Sequence, residues 1–371
     1  MKPKIFIDGR EGTTGLQIYD RLRDREDIEI LTIGEAKRKD ISARKKLINQ
    51  ADLVFLCLPD DAAREAVSLI DNDRTRVIDA STAHRTDPEW VYGFPELTKG
   101  RREEIAGASR VANPGCHATG FIAAVYPLIT LGILPRDYPL TCFSLTGYSG
   151  GGKAMIQAYE EEMTPEMYAT RLYGLEQQHK HLPEMIHITG LTRPPVFCPV
   201  VDDYYSGIAV TITLHNDLLP GAPTTEDIRK KLAEYYEGEQ FVTVAPELGS
   251  GMLESNWGVD SNALEITVSG NNAATTVTAR FDNLGKGASG AAVQNMNIML
   301  GFSEEKGVEL ESVYAMSEED FEMRETLHYA KYGAEDSLEE EDGEDGEDGE
   351  EDEEDEEDED NSDGDAEEDE E

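Results

Sequence analysis

Lys4-Ile5-Phe6-Ile7-Asp8-Gly9-Arg10-Glu11-Gly12-Thr13-Thr14-Gly15 is the stretch from which the fold is read. A short apolar strand runs into glycines at positions 9, 12 and 15, and Leu16, Ile18, Tyr19 and Leu22 then recur as the apolar face of a helix. Strand, glycine turn and helix in that order meet the needs of a dinucleotide pyrophosphate: backbone without side chains, and helix N–H groups aimed at phosphate. Gly9, Gly12, Thr13, Thr14 and Gly15 are therefore candidate cofactor contacts. The spacing is Gly-x-x-Gly-x-x-Gly instead of the commoner Gly-x-Gly-x-x-Gly, so the flanking strand and helix carry the argument.

Outward from this turn, a second strand over residues 28–33 ends in Gly34-Glu35-Ala36-Lys37-Arg38-Lys39. In a βαβ nucleotide unit the adenosine ribose arrives here, where a basic cluster suits a 2′-phosphate and a lone acid suits a free 2′-hydroxyl. Lys37, Arg38 and Lys39 therefore point to NADP over NAD, with Glu35 as the opposing signal. A helix over 42–49, a strand over 53–58, a helix over 60–69 and a strand over 77–79 continue the alternation, and the last runs into Ala80-Ser81-Thr82-Ala83-His84-Arg85. Such units predict an open parallel sheet with right-handed crossovers, and ligands at the strand C-terminal ends, where Pro59, Ser81 and Arg85 fall.

Asn113-Pro114-Gly115-Cys116-His117-Ala118-Thr119-Gly120 precedes an apolar run over 121–131 with the length of a buried helix. Cys116 is thus expected at a helix start, where free N–H groups and the helix dipole favour a thiolate and can hold an oxyanion. That placement predicts covalent acyl chemistry; the plainer alternative is a small buried hydrophobe. Beyond it the pattern changes. A strand over 140–145 delivers a second glycine-rich loop, Thr146-Gly147-Tyr148-Ser149-Gly150-Gly151-Gly152-Lys153, and further strand-like runs lie at 196–201, 208–214, 241–244, 264–268 and 275–281. The expected fold class is α/β: a Rossmann-type parallel-sheet dinucleotide domain over 1–115, plus an α+β substrate and dimerisation domain over 116–287. A helix over 288–302 returns to the first domain, 303–333 is a peripheral segment, and 334–371 is a disordered acidic tail.

Charge supports the last assignment. Residues 335–371 carry 28 Asp and Glu and no Lys or Arg, leaving 50 acids against all 33 bases on the rest of the 371-residue chain. Self-repulsion without apolar burial makes such a segment disordered. Neither part offers a phosphate backbone the basic face it needs, so nucleic acid is not an expected partner. No apolar run reaches the roughly 18 to 20 residues of a membrane-spanning helix. Cys57, Cys116, Cys142 and Cys198 show no metal-ligand spacing and no signal peptide precedes the first strand, so a reduced, cytoplasmic setting is expected, with no metal site. Cys57, Cys142 and Cys198 are read as core.

A nucleophilic cysteine needs a partner to handle protons, and His179 and His181, in Gln177-Gln178-His179-Lys180-His181-Leu182-Pro183-Glu184, form the closest histidine pair that could do so. The glycine turn, Asn113-Pro114-Gly115-Cys116, Gly147 to Lys153, His179 to Glu184 and Gly287-Ala288-Ser289-Gly290-Ala291-Ala292-Val293-Gln294-Asn295 together resemble the N-acetyl-gamma-glutamyl-phosphate reductase family, in its shorter form, over roughly residues 3–310. Many members have Tyr-Pro-Thr after the cysteine where this chain has His117-Ala118-Thr119, and the acidic tail has no counterpart.

The resemblance implies NADPH-dependent reduction of an acyl phosphate to an aldehyde through a thioester on Cys116, in arginine biosynthesis. It favours His179 as acid/base with His181 as rival, adds Ser149, Gly150 and Asn295 to the cofactor contacts, and makes Arg85 and Lys153 candidates for the substrate phosphate. A homo-oligomer, dimer or tetramer, is expected. The alternatives are a related acyl-phosphate reductase acting on aspartyl phosphate or a carrier-linked substrate, and a non-catalytic nucleotide sensor.

Overall fold

Residues 2–310 are described by the computed structural model of the chain. Alternating strands and helices build the first layer: β1 (Lys4–Asp8), α1 (Thr13–Leu22), β2 (Glu29–Leu31), α2 (Ile41–Gln50), β3 (Leu53–Leu56), α3 (Asp60–Ser68), β4 (Arg76–Asp79), β5 (Val91–Tyr92), α4 (Arg101–Gly107) and β6 (Arg110–Ala112). All pairings are parallel, in the order β2-β1-β3-β4-β6-β5. Strand side chains alternate between two cores. Phe6, Val54, Leu56 and Val77 pack with Ile48, Ala63 and Ala66, whereas Ile5, Ile7, Phe55 and Ile78 pack with Ile18 and Leu22 on the other face. Burial on both faces explains why β3 is apolar at every position.

The chain then leaves through α5 (Cys116–Thr130), β7 (Thr141–Gly147), α6 (Lys153–Glu161), β8 (Arg171–Leu172), α7 (Leu182–Thr189), β9 (Val196–Asp202), β10 (Ile208–His215), α8 (Thr225–Tyr235), β11 (Val242–Val244), β12 (Leu264–Gly270) and β13 (Ala274–Phe281). Seven of these strands form a mixed sheet in the order β11-β12-β13-β10-β7-β9-β8. Phe121, Ile122 and Val125 of α5 pack on Val210, Ile212 and Val277 of that sheet, each fully buried side chain stabilising by roughly 1.5–3 kcal/mol. α5 is buried on nearly every side, so it is apolar all round and has no amphipathic stripe. The opposite face of the sheet carries Phe143 and Val196, 46% and 55% exposed.

A π-helical turn, Gly285–Ser289, then leads into α9 (Gly290–Leu300), whose Ala292, Val293 and Met296 pack with Ile5 and Phe55 of the parallel sheet. Two features lie outside the sequence reading. The short run β5, α4 and β6 widens the parallel sheet to six strands, with elements too brief to show a period. Helices α6, α7 and α8 interrupt a region read mainly as strands, although the capping box of Thr224 with Asp227 at the start of α8 is a local signal. The tail over 334–371 and most of the segment 303–333 lie outside the described residues.

Candidate active site

Cys116 is the first residue of α5, after Gly115 in extended backbone. Its approach is pinned by the buried carboxylate of Glu184, whose Oε1 accepts from the Gly115 N–H at 2.9 Å and the Tyr92 hydroxyl at 2.7 Å, and whose Oε2 accepts from Arg85 Nη1 at 3.0 Å. Only glycine fits before the cysteine: a Cβ on Gly115 would lie 2.3 Å from Arg85 Nη1 and 2.6 Å from His181 Nε2. Burial pushes the Cys116 thiol up, against the lowering effect of the His117 backbone N–H and the charges of Lys180 and Arg85. The helix start was expected to favour a thiolate; here desolvation outweighs it, and the resting thiol needs a base.

Three imidazoles line the same cavity as this thiol. The ring centroids of His117 and His179 are 5.3 Å apart, those of His117 and His181 5.6 Å, and those of His179 and His181 4.9 Å. Burial lowers His117 to about 3, lowers His179 to about 4, and holds His181 well below the ordinary histidine value. All three are therefore neutral near pH 7. Their hydrogen bonds separate them. His117 is held by Ser144 Oγ at Nδ1 and by the Tyr173 hydroxyl at Nε2, both at 2.7 Å. His179 Nδ1 accepts the His181 backbone N–H at 3.2 Å, which makes Nε2 its protonated nitrogen. His181 is buried with Nδ1 unpartnered among the described residues, so it alone keeps an uncommitted ring.

These groups line a cavity of about 320 Å³ together with Thr13 and Thr14 of the α1 start, and Ser149 and Gly150 of the second glycine loop. Of the two cations expected to meet a substrate phosphate, Arg85 lines the cavity but is buried and committed, donating to Asn113 O at 2.9 Å, Ala80 O at 2.9 Å and Glu184 at 3.0 Å. Lys153, the first residue of α6, is exposed and lies outside the lining. Lys180 is the cation the sequence did not single out: it lines the cavity and makes no ion pair among the described residues. Placed between two histidines, it carries no separate signal.

A second cavity, about 620 Å³, opens at the C-terminal ends of β1, β2 and β3, on the switch point where the strand order turns from β1 to β3. The residues fit an NADP cofactor. Gly9 has φ +88° and its Cβ would lie 2.2 Å from Cys57 O, and the Gly12 cap leaves the first N–H groups of α1 without a side-chain partner. Arg38 and Lys39 line this cavity, but Lys37, on the exposed side of the 3-10 turn Glu35–Lys37, does not. Arg10, not foreseen, lines it as well, its guanidinium 3.4 Å from the Tyr19 ring centroid and its Nε without a hydrogen-bond partner among the described residues. A lone arginine inside a glycine turn forms no pattern a sequence reading can isolate. Asn295 lines neither cavity: fully buried, it donates to Gly93 O at 2.8 Å and Asn113 Oδ1 at 3.2 Å, and so supports the cysteine stretch from behind.

Residues 4–108 match the family described as semialdehyde dehydrogenase, NAD binding domain, and residues 116–283 the family described as semialdehyde dehydrogenase, dimerisation domain. Fold and site together define the class: an oxidoreductase that joins a parallel-sheet nucleotide layer to a cysteine-bearing dimerisation domain. Aspartate semialdehyde dehydrogenases from Francisella tularensis (TM-score 0.61) and, with NADP, from Candida albicans (TM-score 0.58) share the fold at 15% identity over 81% of this chain and 100% and 99% of theirs. An N-acetyl-gamma-glutamyl-phosphate reductase 2 of Nostoc sp. is 50% identical over 320 residues, 83% of this chain and 99% of that protein, and a Pseudomonas putida namesake is 49% identical over 304 residues, 81% and 97%. The chain belongs to the N-acetyl-gamma-glutamyl-phosphate reductase family.

Proposed function

We propose that the protein reduces N-acetyl-gamma-glutamyl phosphate to N-acetylglutamate semialdehyde with NADPH, a step of arginine biosynthesis, through a thioester on Cys116. The observation that carries this reading is the convergence on one cavity of Cys116 at a helix start, two neutral histidines, Lys180 and the α1 N-terminus.

Cys116 Sγ bonds to the acyl carbon as the carbon–oxygen bond to phosphate breaks. His181, with its ring uncommitted, takes the thiol proton. The departing phosphate takes that proton from His181, while His179 donates a hydrogen bond to it from Nε2 and Lys180 holds its charge at the cavity rim. The acyl oxygen faces the first N–H groups of α5, which stabilise it while the carbon is tetrahedral. Bound NADPH supplies the hydride that reduces the thioester. Gly9, Gly12, Thr13, Thr14, Ser149 and Gly150 would hold its pyrophosphate and nicotinamide half and Arg10, Arg38 and Lys39 its 2′-phosphate, whereas Gly15 lines neither cavity and, with a Cβ position 2.5 Å from Gly9 O, lets α1 pack on the turn. As the carbon–sulfur bond breaks and the aldehyde leaves, the Cys116 thiolate takes a proton from water, which restores the resting thiol.

A second copy of the chain covers the exposed Phe143 and Val196 face of the mixed sheet, giving a dimer or, through a further contact, a tetramer. Among the described residues no helix is long and apolar enough to cross a membrane, and the four cysteines are unpaired, as a cytoplasmic enzyme requires.

The test is phosphate-dependent NADP reduction with N-acetylglutamate semialdehyde against aspartate semialdehyde, for wild type and Cys116→Ser. The first aldehyde is expected to be preferred. Cys116→Ser is expected to fold, to bind cofactor, and to retain less than about a tenth of the rate, a loss above about 1.4 kcal/mol. Preference for aspartate semialdehyde, or an active serine variant, overturns the reading.

A further inference from the structure

One buried ion pair takes no part in these steps. Lys286 and Glu96 are 1% and 3% exposed, with Lys286 Nζ 2.8 Å from Glu96 Oε1. Lys286 also donates to Gln294 Oε1 at 2.7 Å, and Gln294 Nε2 donates back to Glu96 Oε1 at 2.8 Å, closing a triangle. The ammonium lies between the rings of Phe94 and Phe241, 5.5 Å and 5.2 Å from their centroids. An apolar pair of the same volume would serve stability as well or better, because two buried charges lose their hydration. Fold stability alone does not account for this triangle.

Its location gives the reason. Lys286 belongs to the π-helical turn Gly285–Ser289, in which the Gly287 N–H donates to Asp282 O at 3.0 Å and the Ser289 N–H to Leu284 O at 2.8 Å, five residues back in each case. π-helical turns are rare and occur mostly at functional sites. Slipping to α-helical pairing would drop one residue from the turn and rotate α9 by about 100°. On its other side the turn meets the nucleophile. A Cβ on Gly287 would lie 2.9 Å from Cys116 Cβ, and Ala288 O accepts from Asn113 Nδ2 at 2.9 Å, three residues before the cysteine. Gly287 and Ala288 also line the catalytic cavity.

We propose that Glu96 and Lys286 are positioning residues: with Gln294 they lock the π-helical turn in register, so that Gly287 and Ala288 seat Cys116 and Asn113 for attack on the acyl carbon. Three anchors from separate elements, the loop after β5, the turn itself and α9, fix the turn's rotation where an apolar contact would let it slide. The inference rests on Cys116 being the nucleophile of the reaction proposed above.

The experiment uses the full chain in wild-type form, as Lys286→Met, as Glu96→Gln, and as the paired Glu96→Leu Lys286→Met, which leaves no unpaired charge and so keeps a foldable core. Circular dichroism checks folding, turnover gives kcat and KM, iodoacetamide alkylation reports access to the Cys116 thiolate, and adenosine 2′,5′-bisphosphate binding probes the distant cavity. A displacement of about 1 Å at reacting atoms can cost about 100-fold, so Lys286→Met and the pair are expected to lose at least about tenfold in kcat. Cys116 alkylation should change alongside, while KM and the bisphosphate Kd stay within about twofold. Glu96→Gln keeps an acceptor for Lys286 and Gln294 but leaves the buried ammonium without its countercharge, so the folded variant is expected to lose less kcat than Lys286→Met but to fall below wild type. A folded pair with wild-type kcat and alkylation overturns the proposal, as does loss of bisphosphate binding in step with kcat, which would mark a general structural role. If the wild-type chain fails to turn over the acyl phosphate, the functional reading falls, while the alkylation series still tests the seat.

Discussion

Replacing His181 by Gln separates the two histidines of the site. His181 is buried, its Nε2 is packed against Gly115 and its Nδ1 has no partner among the described residues, whereas His179 spends Nδ1 on a backbone N–H. Because burial pushes the Cys116 thiol up, attack requires that its proton be taken as the carbon–sulfur bond forms. A positioned general base contributes about 10²–10⁴ in rate, or about 2.7–5.4 kcal/mol at ~1.36 kcal/mol per tenfold, and that loss is expected in kcat/KM for His181→Gln. The pH profile discriminates further. Burial and Arg85 hold His181 well below the ordinary histidine value, so it is neutral in the wild type and kcat/KM is expected to be flat around neutrality. Without the base, the rate tracks the thiolate and rises by about tenfold per pH unit until the thiol titrates. His179→Gln removes the ring that donates a hydrogen bond to the departing phosphate and lowers the rate without imposing that slope. Turnover measured by NADPH absorbance from pH 6 to 9 is the assay. A flat profile in His181→Gln together with more than about a tenth of wild-type kcat/KM would refute the assignment, and a slope in His179→Gln instead would exchange the two roles.

The same geometry sets three further outcomes. Arg10→Gln is expected to raise the NADPH KM by roughly ten- to 150-fold, the equivalent of about 1.5–3 kcal/mol for a charge-assisted contact, and the exposed Arg38→Gln and Lys39→Gln by about five- to tenfold each, all leaving NADH untouched; Lys37→Ser should change neither. Isothermal titration with adenosine 2′,5′-bisphosphate against 5′-AMP checks the same point without turnover. Lys180→Ala is expected to raise the acyl-phosphate KM by about five- to tenfold, a modest figure because the ammonium is exposed, whereas Lys153→Ala should stay within about twofold; equal effects would mean that both reach the phosphate. His117 is held at about 3 when folded, below its unfolded value near 6.5, so between those values the unfolded chain binds the extra proton and stability rises with pH across that window. His117→Gln, which can keep a bond to Ser144 or Tyr173, should therefore flatten the dependence of unfolding free energy on pH by about 1.4 kcal/mol per unit between roughly pH 4 and 6; an unchanged slope would show that His117 is not buried neutral.

The parts of this molecule legible in its sequence are those whose physics is local. A proline, a glycine and a cysteine before an apolar run place Cys116 at a helix start, because the run can only be a buried helix and the glycine can only precede it. Glycines at 9, 12 and 15 between an apolar strand and an amphipathic helix mark the nucleotide turn for the same reason. The features the sequence withheld depend on rotation and on distant partners. Lys37, Arg38 and Lys39 are equivalent as a string, but Lys37 ends the 3-10 turn Glu35–Lys37 away from the cavity, while Arg38, which caps the turn, and Lys39 beyond it line the cavity. Lys153 comes after a glycine loop and looks placed for a phosphate, yet α6 carries it outward while Lys180, hidden between histidines, faces in. Glu184 carries no hint of its three bonds, since Tyr92, Arg85 and Gly115 lie 92, 99 and 69 residues away.

The same burial acts on both reacting partners, and its opposite signs explain how the site stays quiet until substrate enters. Desolvation disfavours whichever form is charged, so it pushes the Cys116 thiol up and His179 and His181 down. A thiolate–imidazolium pair, which would be reactive at rest, is thereby disfavoured: the thiol keeps its proton and the histidines remain neutral. Thiolate character governs oxidation as well as nucleophilic attack, so a protonated resting thiol is also a protected one. On the proposed mechanism the acyl phosphate would change the balance: Lys180 would take its phosphate, its carbonyl would offer carbon to sulfur, and proton transfer to His181 would be part of bond formation and not a prior ionisation. Alkylation of Cys116 by a neutral reagent should accordingly be slow in the free protein, slower than that of free cysteine at the same pH. A Cys116 that alkylated like an exposed low-pKa thiol would mean that the helix start, and not desolvation, sets its charge.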